Sequence, residues 1–187
     1  ARKAGLVFSA REVFQHRTPE ALAAVATSAT GTATEDPKAG LGAVAETPIV
    51  GWLRELGGPV EGFNQAMLVQ TPADASYERL ADAVQRVLDH HDVLRSRLVR
   101  GEGVWNLDVA EAGSVRAADV LRRAEGGVAD EARAAQARLA PESGAMVQAV
   151  WFEDEQRLLL MAHHLVVDGV SWRVLLPDLA QAYEGVE

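Results

Sequence analysis

The 187-residue chain contains no cysteine. That removes a disulfide framework, a thiolate zinc site and a thiol nucleophile together. Aromatic residues are sparse, at 5% of the chain. No apolar run approaches the ~18–20 residues of a membrane helix. The opening ARKAGLVFSA is too short in its apolar part for a secretory leader, and a cytoplasmic protein without membrane contact is expected. Positive charge is also in the minority: 18 Lys and Arg stand against 27 Asp and Glu, a net charge of −9. A surface of that sign repels phosphates, and no nucleic-acid partner is expected. The chain does carry 48% hydrophobic residues, enough for a core, since a domain of ~150 residues buries roughly 68–70% of its unfolded surface.

Three zones follow from composition. In residues 1–27, Ser9 is placed to cap a short helix through Val13 and Phe14, and Thr18-Pro19 starts a second, Ala-rich one. Two such helices hold too little core to fold alone. Residues 28–45 are rich in Thr, Gly, Ala and Pro without apolar periodicity, the composition of a linker. From residue 46 to 187 helical and strand patterns alternate. Thr47-Pro48 opens a helix carrying Trp52 and Leu56, and Phe63–Gln70 has strand character. Tyr77–His91 places Leu80, Val84, Val87 and Leu88 on one helical face. VLRSRLVR and VWNLDV flank a Gly101–Gly103 turn, Ala129–Leu139 is helical, and MVQAVWF and RLLLMAHHLV are strands. The five consecutive apolar residues Leu158–Ala162 predict a strand covered on both faces. Pro177 predicts a break in the last helix, with one piece ending before it and a fresh turn starting at it. The fold class is α/β or α+β, with a mixed sheet flanked by helices.

Dense chemistry is confined to LLLMAHHLVVDGVSWRVLL, residues 158–176. Neighbouring strand side chains point to opposite faces, so His163 and His164 cannot share a cavity. An imidazole suits proton transfer near neutral pH; a buried histidine that merely satisfies its hydrogen bonds is the bland alternative. Asp168-Gly169 is a turn signal whose carboxylate either caps the following helix or holds a buried cation. A metal site of His163, His164 and Asp168 is disfavoured because the two rings diverge. His90 and His91 sit where a helix ends, as solvated or capping groups. Arg95 follows Val93-Leu94 and, if turned inward, requires a carboxylate such as Asp168.

HHLVVDGVSW, from His163 to Trp172, resembles the HHxxxDG motif of the condensation-domain superfamily of nonribosomal peptide synthetases, whose fold is similar to chloramphenicol acetyltransferase. TPIVGW at 47–52, FNQAMLV at 63–69 and HHDVLRSRL at 90–98 agree in order and spacing, and Ser171-Trp172 after Asp-Gly resembles the epimerization branch. Residues 46–187 thus look like the N-terminal lobe of an epimerization domain. Residues 1–27 resemble the C-terminal tail of a peptidyl carrier protein, and 28–45 would join them.

The resemblance implies epimerization, L to D at Cα, of a carrier-bound aminoacyl or peptidyl thioester. His164 would move the proton and His163 would be structural. Asp168 would pair with Arg95, with Gly169, Ser171 and Trp172 supporting the motif. Breaking that pair would cost ~3–5 kcal/mol by leaving a charge buried. No cofactor would bind directly; the phosphopantetheine arm would arrive on a carrier domain. The partners implied are that carrier and a second lobe that brings a glutamate, without which the chain is expected to be inactive. Two other readings stay open: a condensation-type lobe that assists amine attack on a thioester, and a non-catalytic scaffolding or docking module.

Overall fold

The structure, a computed structural model, describes residues 5–28 and 39–185, which fall into two compact units divided after Ala39. In the first, strands β1 (Leu6–Val7) and β2 (Thr27–Ser28) pair antiparallel around helices α1 (Ala10–Gln15) and α2 (Pro19–Val25). Ser9 caps α1 in a reciprocal box with Glu12, and Thr18 caps α2 with Pro19 in its first turn. Phe14 points outward, 79% exposed. Residues 29–38, most of the expected linker, lie outside the described residues; its end, Gly42–Val44, forms strand β3 of the second unit.

The second unit continues with α3 (Pro48–Leu56), β4 (Asn64–Gln70), α4 (Tyr77–His90), β5 (Ser96–Arg100), β6 (Trp105–Val109), α5 (Ala117–Val120) and β7 (Leu121–Arg123). It closes with α6 (Val128–Arg138), β8 (Val147–Phe152), β9 (Arg157–His163) and α7 (Trp172–Glu184). A four-stranded sheet runs β4-β9-β8-β7, antiparallel except for the parallel β7/β8 pair, and a smaller antiparallel sheet runs β3-β6-β5. Strand β9 is interior, as its unbroken apolar run predicts. Leu158 and Ala162 face the main core with Leu80, Val84 and Leu88 of α4, while Leu159 and Met161 face a second cluster with Ala135 and Leu139 at α6. Alternation on one strand thus feeds two cores, each buried Leu contributing ~1.5–3 kcal/mol. In the β5/β6 hairpin Gly103 sits at φ 77°, a left-handed value that a side chain resists.

Helix α7 corrects the expected break at Pro177: it runs unbroken from Trp172 to Glu184. The proline ring removes only the hydrogen bond that Arg173 C=O would have accepted. Both residues are exposed, so the carbonyl opens to solvent and the bond is lost on the outer face. The inner face, with Trp172, Leu175, Leu176 and Leu179, keeps its packing against the core.

Candidate active site

The HHxxxDG segment begins on the last residue of β9. His163 is fully buried. Its Nε2–H donates to Val60 C=O at 2.8 Å, and its Nδ1 accepts from Leu165 N–H at 3.3 Å. Both ring nitrogens are therefore satisfied in the neutral form. Burial holds its pKa below the ordinary 6.5, only partly opposed by the Val60 carbonyl. His164 turns the other way and is half-buried. Its backbone N–H donates to Phe63 C=O at 2.8 Å, extending the β4/β9 ladder by one rung. Its Nδ1 lies 2.6 Å from Val167 C=O. A carbonyl only accepts, so Nδ1 carries the proton and Nε2 of the neutral ring presents a lone pair.

Three of the motif-bearing segments converge on that ring. Phe63 lies against His164 with centroids 4.8 Å apart and the rings tilted by 37°, and Trp52 of α3 meets Phe63 at 5.9 Å. Trp52 and Leu56 lie on the outer side of α3, 48% and 59% exposed, while Val50 and Leu53 go to the core. The i, i+4 spacing of Trp52 and Leu56 therefore marks the open face of that helix. The largely buried Trp172 of α7 donates its indole N–H to Gln65 Oε1 at 2.9 Å, and Gln65 Nε2 lies 3.4 Å from His164 Nε2. Gln65 was not singled out from sequence, although FNQAMLV contains it. Strand alternation places Gln65 on the opposite side from Asn64 and Ala66, but the signal that draws attention to it, its contact with Trp172, spans 107 positions.

Asp168 and Arg95 do not pair, which corrects the expected ion pair. Asp168 is exposed, and its Oδ1 accepts from Val170 N–H at 2.9 Å, Ser171 N–H at 2.8 Å and Ser171 Oγ–H at 2.8 Å. Its own N–H returns a bond to Ser171 Oγ at 3.0 Å. These donors, Ser171 N–H first, hold its carboxyl below the usual carboxylate range, so the turn needs no cation. Arg95, 3% exposed, instead closes the C-terminal end of α4. Its guanidinium donates to Leu88 C=O at 2.6 Å, Asp89 C=O at 2.9 Å and Ala110 C=O at 3.1 Å, and it pairs with Asp92 at 2.6 Å. Local carbonyls and a carboxylate three residues away win over a distant partner because they cost no chain closure. Gly169 has open space where a Cβ would stand and no left-handed φ, so the turn itself does not demand glycine there.

The His90–Leu98 segment does not join this cluster. His90 is exposed, and His91 caps α4 and bonds Asp178 of α7 at 2.8 Å. His90, His91 and Asp178 are the one group among the described residues whose ligand atoms lie close enough, within 4.8 Å of one another, to hold a metal ion; the motif residues His163, His164 and Asp168 do not form such a group. Among the described residues no helix is long and apolar enough to cross a membrane.

The chain is similar to segments of much longer proteins. It is 35% identical over 206 residues to chondramide synthase cmdD of Chondromyces crocatus and 35% identical over 199 residues to a component of the linear gramicidin synthase of Brevibacillus parabrevis. Both alignments cover 100% of this chain but only 5% and 4% of those proteins. Among solved structures, the epimerization domain from the third module of tyrocidine synthetase B superposes with a TM-score of 0.63 at 26% identity, over 76% of this chain and 35% of that one. The condensation domain of the Monacolin K polyketide synthase MokA shares the fold at a TM-score of 0.60 and 18% identity, over 79% of this chain and 35% of that one. The condensation domain model matches residues 53–187, the span that contains β4 through α7 and the site residues Phe63, Gln65, His163, His164, Asp168 and Trp172, and the chain belongs to the condensation domain family.

Proposed function

We propose that residues 46–187 are the N-terminal lobe of an epimerization domain in a nonribosomal peptide synthetase, with His164 as the group that moves the proton at Cα of a carrier-bound aminoacyl or peptidyl thioester. The observation that carries this reading is the division between the two histidines. His163 has both ring nitrogens satisfied in the core, whereas His164, half-buried, holds its Nδ1 proton on Val167 and leaves Nε2 with only a long contact to Gln65. A base must have a lone pair within reach of its proton, and of the two only His164 does. Ser171-Trp172 after Asp168-Gly169, and the likeness to the tyrocidine synthetase epimerization domain, favour epimerization over peptide-bond formation. Residues 1–27 are read as the tail of the carrier domain and 28–45 as its linker. The substrate comes on the phosphopantetheine arm of a carrier, and the second lobe brings the glutamate that partners His164.

Washout of deuterium from Cα of a carrier-bound aminoacyl thioester tests this. The chain supplied with its second lobe is expected to exchange and the chain alone is not, and His164→Ala in the assembly is expected to lower exchange by ~10²–10⁴-fold. Amide formation with an added amine, without exchange, would reassign the lobe to condensation. Undiminished function after His164→Ala would make it a docking module.

A further inference from the structure

The amide of Gln65 has only one way round. Trp172 Nε1 is a donor and nothing else, so the atom 2.9 Å from it is the amide oxygen, and the NH2 group of Gln65 is turned toward His164. A donor and a lone pair therefore stand side by side, 3.4 Å apart. Neither is free to turn away: His164 is tied through Nδ1 to Val167, and Gln65 through Oε1 to a largely buried tryptophan.

The Nε2 lone pair alone does not need a partner this well fixed. Removing the α-proton of a thioester sends its electron pair into the carbonyl, so charge appears on an oxygen about 2.4 Å from Cα, as bond lengths of ~1.52 and ~1.23 Å require. A base above Cα and an oxyanion donor at the carbonyl oxygen, each about 3 Å from its target, stand roughly 4–6 Å apart, because one lies off the carbonyl plane and the other near it. The two nitrogens, 3.4 Å apart, are neighbours whose long contact opens to that spacing when a thioester enters between them.

From this geometry we infer that Gln65 is a catalytic residue: its amide N–H donates to the thioester carbonyl oxygen and holds the enolate that forms when His164 takes the α-proton, with Trp172 as the positioning residue that fixes the amide. The Cα–H bond breaks, the proton goes to His164 Nε2, and the electron pair rests on the oxygen under Gln65. The glutamate proposed for the second lobe gives its proton to the opposite face of Cα, the electron pair leaves the oxygen for the new Cα–H bond, and loss of the His164 proton to solvent with reprotonation of the glutamate resets the site. The inference rests on the proposed epimerization of a thioester and adds to it the group that carries the developing charge.

The test is Cα deuterium washout by the chain assembled with its second lobe, using a carrier-bound aminoacyl thioester. Gln65→Leu is expected to lower kcat by ~10²–10³-fold with KM held within about twofold, the loss typical of one oxyanion donor. Gln65→Glu should be at least as damaging, because a carboxylate faces the enolate with like charge. Trp172→Phe keeps the packing but frees the amide to rotate, and is expected to cost about tenfold. Melting temperature serves as the control for folding, and a shift within about 2 °C accompanies a catalytic effect. Exchange in Gln65→Leu at the wild-type rate overturns the inference and leaves the epimerase reading intact. A loss in Gln65→Leu that appears as raised KM with kcat preserved also overturns it, since that signature belongs to uniform binding. Absence of exchange in the wild-type assembly overturns the epimerase reading itself.

Discussion

The dipeptide His-His occurs twice in this chain, and the two copies are put to different use. At His163-His164 it ends a strand, where alternation sends one ring into the core and the other to the open side. At His90-His91 it ends a helix, where successive side chains are about 100° apart. There one ring stays in solvent and the other ties α4 to α7 through Asp178. Identical residues yield a candidate base in one place and an interhelical strut in the other. The element that carries them, and not their type, decides their chemistry.

The sharpest way to break that comparison is to remove one ring from each pair. In the assembled domain His164→Ala is expected to reduce Cα exchange by ~10²–10⁴-fold, while His90→Ala leaves it within about twofold. Equal losses would erase the distinction. Next in size is the anchoring below the second pair. Arg95→Met leaves the buried carbonyl of Leu88 and the partly buried ones of Asp89 and Ala110 without this donor and should cost about 3 kcal/mol by chemical denaturation. Asp168→Ser should cost far less, and the double substitution should be additive, since the two groups share no contact. Coupling between them would restore the ion pair that the structure does not form.

A smaller effect follows from His163. Its folded-state pKa is depressed by burial, so the unfolded chain binds a proton that the native state refuses. Stability is complete above the unfolded value of about 6.5 and declines as pH falls from there toward the lower folded value. His163→Gln should flatten that part of a stability–pH curve, and an unchanged slope would refute its neutral burial. Asp178→Asn at the strut is expected to cost about 0.5 kcal/mol, as partly exposed pairs do. Smallest of all, Gly169→Ala should leave melting unchanged because its Cβ meets nothing. A loss of exchange there without loss of stability would mark Gly169 as lining the path of the substrate.

What could be seen in the sequence was whatever depends on near neighbours. The unbroken run Leu158–Ala162 gave the interior strand, the 3.6-residue period gave the buried face of α4, and alternation separated His163 from His164. What stayed hidden depends on contacts set by packing. Arg95 chose main-chain carbonyls of α4 over Asp168, a choice that periodicity does not encode. Pro177 was tolerated because its lost bond falls on the wet face of α7, which is known only when the helix has docked. Gln65 became visible only when Trp172 reached it from the other end of the chain.

The four-stranded sheet ends differently on its two sides. The β7 margin is three residues long and carries Arg122 and Arg123, the short, charged design that resists pairing with another chain. The opposite margin, β4, has seven residues of ladder, NQAMLVQ, with no further strand beside it among the described residues, no charge, no proline and an outward Leu68. It lacks every gatekeeper that discourages strand addition. Strand addition, where it occurs, is therefore expected on one side of the sheet only. The expected side is β4, the strand that supplies Gln65, and Leu68→Lys is the substitution expected to close it.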